Sequence, residues 1–160
     1  MTVSYTSDEL SKVAGAVMVS GIAVAMVDVG IVSSAIEATA LAKEVASAAT
    51  KYPSNTVIQA LFSEDAAKAL QANPASRVEV KPEEMMPETA VDTAIAQITE
   101  ALTLLNAKAT ADEVREYKDF LYACCDRVAN AAGSGLFGSG NPKVSDKEAA
   151  ALAKIKAALA

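Results

Sequence analysis

The sequence predicts an all-α fold: a single domain over residues 1–160, built as a bundle of five to six helices around one central apolar helix. Three observations carry that expectation. Alanine, the best helix former, occurs 35 times, while glycine and proline are scarce and mostly clustered between long uninterrupted runs. The stretch 13–27, VAGAVMVSGIAVAMV, holds 15 residues without a charge. Three capping boxes, Thr6/Glu9, Thr110/Glu113 and Ser145/Glu148, each open a segment of helical period.

The elements follow in order. The first helix starts at the Thr6 box and runs to about Val27, with Gly30 in DVGIVSS as the turn residue. A second spans about Ser34 to Lys51, its charges Glu37, Glu44 and Lys51 spaced seven apart as a solvated stripe. Tyr52-Pro53 ends it, because the residue before proline avoids the helical region. SNTVIQALF reads as a short helix capped by Ser54, and SEDAAKALQA as another or its continuation, capped by Ser63. NPASRVEVKPEEMMP carries three prolines and reads as an ordered loop, RVEV having no partner strand. Pro87 suits a first helical turn, and the helix from there to about Lys108 presents Val91, Ile95, Ile98, Leu102 and Leu105 as a seam for a core or a homodimer. The next helix runs to about Ala132 with Val114, Tyr117, Leu121, Cys124, Val128 and Ala131 on one face. The last turns Leu152, Ile155 and Leu159 inward, with Lys154 and Lys156 near its end, where cations suit the dipole.

Composition excludes several chemistries. The formal charge is 14 − 20 = −6 and there is no basic run, so no nucleic-acid partner is expected. Histidine is absent, which removes imidazole acid–base catalysis, Ser-His-Asp triads and His-ligated metal or haem. Cys124 and Cys125 are adjacent on a helix and point about 100° apart, so they do not pair with each other. They fit a reducing cytoplasm, and read as small core hydrophobes of which one faces inward more than the other. Tyr117 and Tyr122 read as core-edge aromatics. The run 13–27 is shorter than the roughly 20 residues of a spanning helix and its flank TSDELSK is net acidic, so a buried helix rather than a membrane segment is expected.

One stretch imitates a nucleotide fingerprint. Gly133-Ser134-Gly135-Leu136-Phe137-Gly138 matches G-x-G-x-x-G literally. That fingerprint works where a strand turns into a helix whose N-terminus faces a pyrophosphate. Here the glycines follow a helix, and the last helix stands where a second strand with its acidic residue belongs. The loop reads as a connector, Gly133 being a helix C-cap. Gly133, Gly135 and Gly138 remain candidate ligand-binding residues together with Asp28, which otherwise reads as a turn cap. No catalytic residue, metal site or cofactor is expected.

The segments EYKDFLYACCDRVANAA, GSGLFGSG and VSDKEAAALAKIKAAL, with AVAMVDVGIVSS near the N-terminus, resemble a group of small, uncharacterised bacterial all-helical proteins. The resemblance spans about two-thirds of the chain and implies no activity and no functional residues. A fainter likeness is to tellurite-resistance TerB-like helical domains: Asp28-Val29-Gly30-Ile31-Val32-Ser33 and Val144-Ser145-Asp146 echo their Asp-Gly turn and V-S-acidic helix start, without acidic clusters for a metal. The expectation is therefore a cytoplasmic, non-catalytic interaction or regulatory module that forms a homo-oligomer, with no membrane partner. The alternative is a domain that binds a small ligand or divalent cation.

Overall fold

The computed structural model describes residues 4–27, 31–72, 86–133 and 144–160, with backbone alone for 31–38, 70, 132 and 133. Every regular element among them is helical: α1 (Ser7–Met26), α2 (Ile31–Lys51), α3 (Thr56–Phe62), α4 (Glu64–Ala72), α5 (Ala90–Lys108), α6 (Ala111–Gly133) and α7 (Asp146–Leu159). Only Ser63 separates α3 from α4, so the bundle has five long helices and one short interrupted one.

Helix α1 is the axis. Its capping box is complete: the Glu9 N–H donates to Thr6 Oγ1 at 3.2 Å and the Thr6 N–H donates to Glu9 Oε2 at 2.8 Å. Buried residues Val13, Gly15, Ala16, Val17, Val19, Ser20, Gly21, Ala23 and Val24 cover about two-thirds of the circumference rather than one stripe, and Ala14, Met18, Ile22 and Ala25 on the remaining face are half-buried. α5, α6, α2, α7 and α3 all pack on it. Among the described residues α1 is the one helix long and apolar enough to cross a membrane, and half of its apolar stretch is buried in the bundle. Its single buried hydroxyl is satisfied locally, Ser20 Oγ donating to Ala16 O at 2.5 Å.

Small residues set the spacing. A Cβ on Gly21 would stand 2.8 Å from both Cδ atoms of Leu41, so α1 and α2 meet where any larger residue requires the buried Leu41 side chain to shift. Helix axes approach most closely where contact residues are small, and α5 contributes fully buried Ala90, Ala94 and Ala101. α5 lies antiparallel to α1, its last-turn Lys108 Nζ reaching Glu9 Oε1 at 2.5 Å. The α5 seam faces this core: Ile98 and Leu105 are fully buried, Val91 and Leu102 nearly so, and Ile95 is half-buried. The seam is thus used within one chain.

α6 closes the other side. Tyr117 is fully buried and donates its phenol to Val13 O at 2.7 Å, tying α6 to α1. It is no edge residue, because α1 crosses the face it occupies. Phe120 is fully buried too, with its ring centroid 5.3 Å from Phe62 and 6.2 Å from Tyr52, edge-on. The expected face of α6 omitted Phe120 and Cys125, since a helix covered by α1, α2, α3, α5 and α7 buries a wider stripe than one row.

Several boundaries move. α2 begins at Ile31, three residues before the expected Ser34. α3 is capped by Asn55, not Ser54: Asn55 Oδ1 accepts from the Ile58 N–H at 3.0 Å while Nδ2 donates to Glu113 O at 3.1 Å and Glu116 Oε2 at 3.0 Å. The amide outcompetes the hydroxyl because it caps α3 and satisfies α6 at once. Ser63 caps α4 as expected, accepting from the Ala66 N–H at 3.2 Å. Regular helix in α5 starts at Ala90; Pro87 lies in a preceding turn in which the Thr89 and Ala90 N–H groups both donate to Met86 O. The Thr110/Glu113 and Ser145/Glu148 boxes both form. RVEV and most of the proline-rich stretch, residues 73–85, lie outside the described residues.

The Gly21–Leu41 approach generates a sign reversal. Gly21→Ala gains about 1 kcal/mol of helix propensity but overpacks against Leu41 by about 1–3 kcal/mol, so the single substitution is expected to destabilise. In a Leu41→Ala background the obstruction is gone and Gly21→Ala stabilises. Urea unfolding of the four proteins checks this, and additive effects would contradict it.

Candidate functional site

Two sequence-derived candidates meet the structure only in part. Gly133 is the last residue of α6, while Asp28, Gly135 and Gly138 lie outside the described residues. Among the described residues no group of three or more Cys, Asp or Glu side chains is arranged to hold a metal ion.

The polar cluster that does form was not anticipated. α2 and α6 run antiparallel, so the C-terminal turn of α2 meets the N-terminal part of α6, and Glu44 meets Arg127. Glu44 is 4% exposed. The expected solvated stripe is overturned at this residue, because α6 covers that side of α2. Lys51 Nζ donates to Glu44 Oε1, and Arg127 Nε donates to Oε2 at 3.3 Å. Both cations stay largely in solvent, their side chains 46% and 64% exposed. The cluster is an acid under the surface with a cation on each oxygen. Its signal in the sequence is the seven-residue spacing of Glu44 and Lys51, but Arg127 is 83 positions away and only tertiary packing supplies it.

Electrostatics follow the geometry. Burial alone pushes the Glu44 carboxyl up; the hydrogen bonds and charges of Lys51 and Arg127 together outweigh it and hold Glu44 below its ordinary 4.5. Glu9 is also held low, chiefly by its bond to Lys108. In Glu113 burial pushes up, and bonds from Thr56 and Thr110 bring the net shift down.

Beside Glu44 lies an open groove of about 400 Å³, lined by Glu44, Ala123, Asp126, Arg127 and Asn130. The four α6 residues stand at i, i+3, i+4 and i+7, one face of the helix. Ala123 is half-buried, Asp126 and Arg127 exposed. Asn130 Nδ2 donates to Asp126 O at 2.8 Å.

The two thiols are enclosed. Cys124 and Cys125 are both fully buried free thiols, so the expectation that one would face outward more than the other fails: α6 is covered on more than one side at this level. Burial pushes both thiols up, Cys125 to about 12, which leaves no thiolate at neutral pH. Among the described residues two buried polar atoms, Tyr5 Oη and Glu148 Oε1, find no hydrogen-bond partner.

Comparison with protein-family models, with curated proteins and with solved structures finds no match for this chain.

The cluster and the thiols each generate an expected outcome. A carboxylate held low when folded contributes stability that is complete above its unfolded value and lost as pH falls through the folded one. Stability should therefore hold from neutrality to about pH 5 and decline below it as Glu9, Glu44 and Glu113 protonate. Glu44→Gln should make that decline shallower in urea titrations at several pH values, and an unchanged slope would remove Glu44 from the account. The thiols should resist iodoacetamide in the native protein and react only at the rate of unfolding. Fast native labelling would show the α6 environment to be open.

Proposed function

We propose that this chain is a non-catalytic helical interaction or regulatory module that works in a reducing cytoplasm and self-associates. One observation carries the non-catalytic part. The nucleophilic side chains at the centre of the fold are committed to packing: Cys124 and Cys125 are sealed, Ser20 bonds Ala16 O, and Tyr117 bonds Val13 O. A pair of free, adjacent, buried thiols supports the reducing compartment.

Self-association has to use a face other than the α5 seam, which is taken up inside the chain. The outer side of α7 offers exposed Ala149, Ala150, Ala153 and Ala157 between lysines, a smooth surface that a second helix can approach closely. Met86 is the one large hydrophobic residue strongly exposed among the described residues, so the contact is small-residue and polar rather than greasy. A second reading, small-ligand binding, is favoured by the groove beside Glu44.

Light scattering coupled to size-exclusion chromatography tests the proposal. The expected mass is twice 16.4 kDa, reverting to 16.4 kDa in Ala153→Glu with unchanged helicity. A monomeric wild type at every concentration overturns self-association; a dimer unaffected by Ala153→Glu moves the interface off α7.

A further inference from the structure

Glu44 is a buried carboxylate that accepts from a different cation on each oxygen. Its partners are two exposed cations, neither of which needs it for solvation. Glu44 gives each of them one hydrogen-bond anchor. It takes Arg127, a groove residue, at Nε, and neither Nη group has a hydrogen-bond or ion-pair partner among the described residues. A guanidinium presented edge-on is a fork for a carboxylate. Supporting a ligand-facing group with a buried partner is how binding sites gain precision.

The rest of the groove narrows the ligand. Asp126, the residue before Arg127, has no ion-pair partner among the described residues. Asn130 uses its amide nitrogen on Asp126 O, which leaves its amide oxygen as an acceptor. Ala123 leaves the floor open, and a space of about 400 Å³ suits a small molecule. A simple anion gains from Arg127 and is repelled by Asp126; a simple amine meets the reverse. A molecule carrying both charges on neighbouring atoms satisfies both. We propose that the groove between α2 and α6 binds a small α-amino carboxylate, a free amino acid, with its carboxylate on Arg127 and its ammonium on Asp126 and the Asn130 oxygen. The site does not involve the α7 face, so a dimer with an idle groove and a monomer with a working one are separate, readable results.

The test is an amide-resonance NMR titration of the full chain with each standard amino acid, and with acetate, methylamine and inorganic phosphate as partial ligands. The groove is open, so a Kd of about 0.1–10 mM is expected. At least one amino acid should shift the 123–130 amides saturably, with acetate, methylamine and phosphate about tenfold weaker or worse. Arg127→Met should weaken that binding about tenfold or more. Asp126→Asn, at an exposed position without an ion pair, should keep the fold and erase the preference over acetate; it decides the matter even if Arg127→Met fails to fold. The proposal is overturned if no amino acid saturates, if Arg127→Met folds and binds like wild type, or if acetate or phosphate binds as tightly.

Discussion

Everything in this fold answers to α1 having no polar face. Its buried positions cover most of the circumference and the rest, Ala14, Met18, Ile22 and Ala25, is apolar and half-buried, so a single neighbour leaves apolar surface in water, and five other helices pack on it. Burial of that kind is worth roughly 25 cal/mol per Å² and does not care about direction. Direction comes from shape: α2 is admitted closely by Gly21, α5 by its alanines, and α6 is anchored by the Tyr117 phenol on Val13 O. A carbonyl oxygen has a second lone pair to offer, and this contact sets the height of α6 along α1.

Polar groups near that core are handled by sharing. Asn55, fully buried, caps α3 and holds α6 with the same amide. Glu44 serves two cations, and Lys108 joins Glu9 while lying 5.5 Å over the Tyr5 ring. Unshared buried polar atoms cost the most, and the two found among the described residues, on Tyr5 and Glu148, sit where chain segments enter a helix rather than in the middle of one.

The helices were legible because their signals are local. The three capping boxes and the apolar run mark starts and cores within a few residues, and all four features appear where the sequence places them. The seam on α5 was legible as apolar, but its partner was not, since periodicity says which face is buried and not against what. Glu44 shows the same limit in reverse. Its seven-residue spacing is compatible with a solvated stripe until α6 arrives from 83 positions away. Ser54 and Asn55 are both good caps in isolation, and the choice fell to the residue that could also reach Glu113 and Glu116. The polar groove was therefore the least readable feature: it needs two distant helices in register.

Glu113 carries a consequence beyond its capping box. One carboxylate oxygen accepts from the Thr110 N–H and hydroxyl at 2.9 and 3.1 Å; the other accepts from the Thr56 N–H and hydroxyl at 3.0 and 2.5 Å. Two helix starts, far apart in the chain, thus lean on one side chain. Helix ends ordinarily fray alone, each at its own low cost. Here the first turns of α3 and α6 share one carboxylate, so loosening either start costs hydrogen bonds that also hold the other, and the junction is a single clasp rather than two loose ends.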